Sequence, residues 1–140
     1  DGFVENSFTD NDIDLKTGKK VSYDSSDIFY SLEEVKKNII KNNKKNFEKY
    51  ILVPGDILET LNFKDNIPNK ISFLRLDTDI YKTTKKQLEI LYEKLVPGGV
   101  LHIDDYGICP GVKTAVDDFF YNQDIWLHRV DIACRYLIKK

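Results

Sequence analysis

Four aspartates in two short blocks are the residues best placed to do chemistry. Asp77 and Asp79 close the run FLRLDTD, and Asp104 and Asp105 close VLHIDDY. In open α/β sheets, ligands collect beyond the carboxyl ends of the strands, where both blocks would fall. Four carboxylates from two neighbouring strands crowd one small volume, where unpaired charges repel and push some pKa values upward. A divalent cation relieves that repulsion, and an all-oxygen donor set suits Mg2+, Mn2+ or Ca2+ rather than zinc. A single strand-end aspartate reads more readily as a helix cap or an ion-pair partner. The two acidic pairs together read as a metal site.

Other reactive residue types have plainer readings. His102 lies inside an apolar run and reads as a hydrogen-bonded core histidine, and His128 belongs to a late strand. Cys109 follows the second acidic block, with no neighbouring base to mark it as a nucleophile. Trp126 reads as core.

The elements that must position the acids follow from hydrophobic periodicity. Residues 1–30 are polar with scattered aromatics and read as a long loop or lid. Ser31 and Glu34 have capping-box spacing, and Leu32, Val35, Ile39 and Ile40 follow at helical intervals to about Asn43. Three short apolar runs come next: Tyr50–Val53 ending at Pro54-Gly55, Ile71–Leu76, and Val100–Ile103 after Pro97-Gly98-Gly99. Leu88, Leu91, Tyr92 and Leu95 mark an amphipathic helix, and Val112, Ala115, Val116 and Phe119 mark another behind Pro110. The tail, Ile125–Val130 and Ala133–Ile138, reads as two strands. Continuous apolar strands alternating with helices indicate an α/β fold, a mostly parallel sheet with helices on both faces.

Composition bounds the class. The chain has 140 residues, 41% hydrophobic and 31% charged, which suits one folded domain and argues against disorder. A net charge of −2 carries no basic footprint for nucleic acid, and the Lys36, Lys37, Lys41, Lys44 and Lys45 cluster reads as a solvated helix face. No apolar run is long enough to span a membrane, and no leader opens the chain. Two cysteines give no disulfide framework and point to a reducing, cytoplasmic setting. Without methionine, and with aspartate at residue 1, the sequence reads as starting inside a longer one.

From about Ser31 onward, the SLEEVKKN helix start, the LRLD-x-D-x-Y-x-x-T block, the PGG-x-x-x-IDDYG block and the terminal LHRVD resemble the macrocin O-methyltransferase family. Its members are S-adenosylmethionine-dependent enzymes that methylate sugar hydroxyls. The resemblance implies a Rossmann-like class I methyltransferase fold, here a single partial domain of residues 1–140 with a 1–30 lid and a 31–140 α/β core. It implies that Asp77, Asp104 and Asp105 ligate Mg2+ (or Mn2+), and that Asp79 is the general base. It implies a cofactor side made by Asp1, from a DGF that departs from the family's pattern at Gly2, together with Gly55, Asp56 and Asp77. Tyr81 and Tyr106 would shape the substrate site or simply pack. The acceptor would be a small molecule or glycan, with no nucleic acid and no membrane, and a homo-oligomer is an open alternative.

The family's glycine-rich cofactor turn has no counterpart among the seven glycines, so the N-terminal cofactor-loop unit is expected to be missing. In the implied fold the missing strands lie between those at 50–53 and 71–76, so the first of these would lose its neighbours. The isolated chain is therefore expected to bind S-adenosylmethionine weakly and to be inactive alone. Two rival functions use the same residues: a metal-dependent hydrolase built on the four acids, and a non-catalytic module that binds glycan or a partner.

Overall fold

The computed structural model describes residues 8–21, 30–42 and 46–140. Asp1, the lid residues 1–7 and 22–29, and Lys44 and Lys45 lie outside the described residues. Among the described residues the α-helices are α1 (Leu32–Asn42), α2 (Ile57–Thr60), α3 (Tyr81–Leu91) and α4 (Pro110–Phe120). Four strands are formed: β1 (Ile71–Leu76), β2 (Leu95–Ile103), β3 (His128–Arg129) and β4 (Arg135–Ile138). They make one sheet in the order β1-β2-β4-β3. β1 and β2 are parallel, while β4 runs antiparallel to both β2 and β3, so the sheet is mixed.

Register explains the core. Leu74, Leu101 and Leu137 face one another across β1, β2 and β4, and Leu76 faces Ile103 in the next row. All five are buried, and Leu88 of α3 with Val112, Val116 and Phe120 of α4 close over them. Tyr92, Phe119 and Phe120 extend this layer through edge-to-face ring contacts with centroids 4.8–5.5 Å apart, a favoured aromatic geometry.

The alternate residues tell a different story. Phe73, Val100 and Ile138 form one row of the opposite face, and Arg75, His102, Tyr136 and His128 form the next. Phe73 is 59% exposed and Ile138 is 55% exposed. Of the described helices, only those on the leucine face bury side chains, since α1 and α2 bury none. Among the described residues, helices therefore cover the leucine face.

Several sequence expectations need correction. Tyr50–Val53 forms no strand, and Ile51 is 89% exposed, because no described strand stands beside it. The strand expected from Val100 begins at Leu95, and its PGG lies in an irregular register opposite Ile71–Phe73. Trp126 is exposed rather than core: Ile125 and Leu127 pack inward, and the period-two alternation turns Trp126 out. His102 Nδ1 is buried without a hydrogen-bond partner, since on this face its ring meets Phe73 instead of a polar group.

Helix α1 follows the sequence closely. The Ser31 hydroxyl and the Glu34 carboxylate cap each other reciprocally, with the Glu34 amide donating to Ser31 Oγ and the Ser31 amide donating to Glu34 Oε2. The Ser31 amide and hydroxyl together hold the Glu34 carboxyl below its ordinary range.

Candidate active site

The acids meet because the strands that carry them are in register. Leu76 is paired with Ile103, so Asp77 and Asp104 leave adjacent parallel strands side by side. The Asp104 amide donates to the Leu76 carbonyl at 2.9 Å, extending the ladder one step into the site. Asp77, Asp104 and Asp105 each offer an oxygen within 4.8 Å of the others. Such a three-carboxylate set fits a hard divalent cation, which takes oxygen donors from mono- and bidentate carboxylates.

Asp79 and Asp105 are the two non-glycine residues at positive φ among the described residues, at 60° and 57°. Left-handed backbone at non-glycine positions costs energy and persists where surrounding structure holds it. Around Asp79 that support is visible. The Ile80 amide donates to the Thr78 carbonyl at 2.7 Å, and Gln87 Nε2 donates to Thr78 Oγ1 at 2.8 Å. The buried Thr83 hydroxyl bonds back to the Thr78 and Ile80 carbonyls. Around Asp105, the amides of Ile108 and Cys109 both donate to its carbonyl.

The electrostatics follow from crowding. Burial, a hydrogen bond with Asp79 and the charges of Asp79, Asp104 and Asp77 push the Asp105 carboxyl up to about 7. Asp104 goes the other way, because its oxygen accepts from the Cys134 thiol at 2.9 Å and it pairs with Arg75. The Arg75 guanidinium bridges Asp77 and Asp104 from the uncovered side of the sheet. Desolvation and the neighbouring carboxylates push the Cys109 thiol up to about 12, so it stays a neutral wall residue.

The other expected site residues are dispersed. The Tyr81 hydroxyl is bonded to Asp118 at 3.0 Å and the Tyr106 hydroxyl to Asp117 at 2.6 Å, both on α4. Lys113 and Arg135 lie over the Tyr106 ring. Gly55 lines a separate cavity of about 320 Å³ between the start of α1 and residues 51–54, and Asp56 caps α2 by accepting from the Leu58 amide at 2.8 Å.

Beside Asp79 and Ile80 lies a cleft of about 310 Å³, walled by Cys109, Pro110, Gly111 and the segment from Asp12 to Val21. Arg75, Cys134, Thr83, Gln87 and Asp12 were not singled out from the sequence. For Arg75 a signal existed, since it stands two residues before Asp77 at the end of β1 and so points to the same side. For Cys134 and Asp12 only the tertiary fold brings the partners together.

The comparisons with known proteins agree. The profile of a family described as Macrocin-O-methyltransferase matches residues 3–139. The chain is 36% identical over 87 residues to a demethyldecarbamoylnovobiocin O-methyltransferase of Streptomyces niveus, covering 59% of this chain and 33% of that protein. It is 35% identical over 81 residues to a mycinamicin III 3''-O-methyltransferase of Micromonospora griseorubida, covering 54% and 32%. The alignments thus span about a third of the length of these curated relatives. Among solved structures, the O-methyltransferase NovP matches 94% of this chain and 57% of its own, with 27% identity and a TM-score of 0.75. A calicheamicin methyltransferase matches 91% and 55%, with 20% identity and a TM-score of 0.71, a likeness of fold.

Proposed function

The chain belongs to the macrocin-O-methyltransferase family, and from that premise we propose that it supplies the acceptor-activating part of an S-adenosylmethionine-dependent sugar O-methyltransferase. The convergence of three carboxylates within 4.8 Å, with Asp79 bonded to one of them, carries this reading. Asp77, Asp104 and Asp105 hold Mg2+ or Mn2+. Asp79 is the general base, and Gly55 and Asp56 flank the methyl donor. Tyr81 and Tyr106 support the acceptor side through α4 rather than by direct contact. The acceptor is a sugar hydroxyl on a small molecule or glycan, in line with the activities of the relatives named above.

A sugar hydroxyl is a weak nucleophile at neutral pH, and a divalent ion, when bound, lowers its pKa. The protein's own part is the proton and the geometry. Asp79, fixed at the first turn after β1, accepts the hydroxyl proton within reach of Asp105. Methyl transfer is an in-line displacement at a sulfonium carbon, so the fixed turn contributes by orientation. Cys109 and Ile108 wall the cleft on the acceptor side.

Two measurements test this reading. Mn2+ binding followed by electron paramagnetic resonance should be lost in Asp104→Ala and retained in Asp79→Asn. In the active enzyme, Asp79→Asn should lower kcat by about 10²–10⁴-fold with metal still bound. Full methyl transfer after chelation, or turnover of a substrate without S-adenosylmethionine, would refute it.

A further inference from the structure

The polar segment before α1 reads as a long loop or lid, and its described part is tightly built. The Asp14 amide donates to the Lys19 carbonyl at 2.9 Å, the Val21 amide to the Asp12 carbonyl at 2.7 Å, and the Gly18 amide, at φ 66°, to the Asp14 carbonyl at 2.8 Å. At the base of this hairpin-like turn sits Asp12, a carboxylate only 3% exposed. One of its oxygens accepts from the Thr9 amide at 2.7 Å and the Thr9 hydroxyl at 2.9 Å. The other accepts from the amide of Tyr81, 69 residues away, at 2.7 Å.

Tyr81 opens α3, and the residue in the N-cap position is Ile80, whose side chain cannot cap. A helix start leaves amides unpaired, and a carboxylate there is favoured by hydrogen bonding and by the helix dipole. Asp12 therefore supplies from a distant segment the cap that the local sequence lacks. Gly111, in the first turn of α4, makes the approach possible: a Cβ there would lie 1.8 Å from the Asp12 oxygen and 3.0 Å from the Tyr81 amide.

We infer that Asp12 is a positioning residue: it latches the 8–21 segment into the crevice between α3 and α4 and fixes the Thr78–Tyr81 turn that presents Asp79 to the acceptor. The latch holds residues 12–16 and Val21 as one wall of the cleft beside Asp79. Its catalytic consequence rests on Asp79 being the base, whereas its structural existence does not.

Amide hydrogen exchange resolved by nuclear magnetic resonance on this chain reads the latch directly. Asp12→Ala should speed exchange of the Tyr81, Asp14, Gly18 and Val21 amides by about tenfold or more, leaving Leu101 and Leu137 in the sheet protected. Gly111→Ala keeps the carboxylate but places a methyl against it, and should free the same amides. It decides the matter if Asp12→Ala also exposes the sheet. Unchanged exchange at Tyr81 in Gly111→Ala overturns the latch. In the active enzyme, Asp12→Ala should lower kcat by about tenfold with the KM for S-adenosylmethionine unchanged, the loss expected of a misplaced base. A freed Tyr81 amide with unaltered kcat overturns the positioning role. Asp79→Asn separates the two readings: full activity there removes Asp79 as base, while exchange at Tyr81 still reports on the latch.

Discussion

At the scale of single residues, the site is defined by charge that the protein itself only partly neutralises. Arg75 and the Cys134 thiol serve Asp104, whereas burial, a hydrogen bond with Asp79 and the surrounding carboxylates push the Asp105 carboxyl up to about 7. Burial and the neighbouring carboxylates raise its folded pKa above the ordinary aspartate value, so the folded state binds the extra proton. The stability this contributes is fully present below the unfolded pKa and is lost as pH rises through the folded value. Metal-free protein held in chelator should thus lose thermal stability between about pH 4 and 7 from this group, and Asp105→Asn should flatten that part of the profile. The same proton must leave when a cation binds. Calorimetric titration with Mn2+ in two buffers of different ionisation enthalpy should show proton release at pH 6 that shrinks by pH 8. Equal release at both values would mean that Asp105 is not the group displaced.

At the scale of elements, stability is unevenly spread. Helix α1 is held by its capping box and by one ion pair, Lys36 to Glu33, and buries no side chain. Ser31→Ala should cost α1 about 1 kcal/mol through the lost cap. The cost should be local, with faster exchange of the Leu32–Val35 amides and an unchanged global melting temperature, and a lowered melting temperature would show that α1 is docked to the core. This is also the scale at which the sequence was most informative. Ile71–Leu76 and the helix behind Pro110 were legible because a leucine ladder and a proline-started amphipathic face are local signals. The acidic cluster was legible for a related reason, since aspartates that directly follow two apolar strands meet if those strands pair in parallel. The 8–21 segment was not, because its order comes from one carboxylate reaching α3 and α4. Nor was the fate of Tyr50–Val53, whose apolar pattern suits a strand but whose pairing depends on neighbours outside the pattern. Trp126 misled because type suggests burial, and only alternation with Ile125 and Leu127 shows the opposite.

At the scale of the whole molecule, the described residues cover the sheet on its leucine face and leave the other open. Phe73, Val100 and Ile138 make an apolar row across three strands, and β1 is paired on one side only among the described residues. A free strand edge beside exposed apolar side chains is a template for association with another chain. Arg75 stands on the same face and reaches from it to Asp77 and Asp104, so what covers the face also bears on the acidic cluster. The 140-residue chain should accordingly self-associate in solution, reversibly and through this face. Sedimentation velocity over a concentration series should show a rising weight-average mass. Phe73→Glu combined with Ile138→Lys should return it to a monomer, because both changes put charge on the open row while leaving the buried Leu74–Leu101–Leu137 row intact. Binding of a hydrophobic dye should fall in the same variant, with the far-ultraviolet circular dichroism unchanged. A chain that stays monomeric at high concentration, or a double variant that associates as before, would place the sticky surface elsewhere. The candidate would then be the exposed Trp126, Val130 and Ile132 of the tail, whose side chains could be tested in the same way.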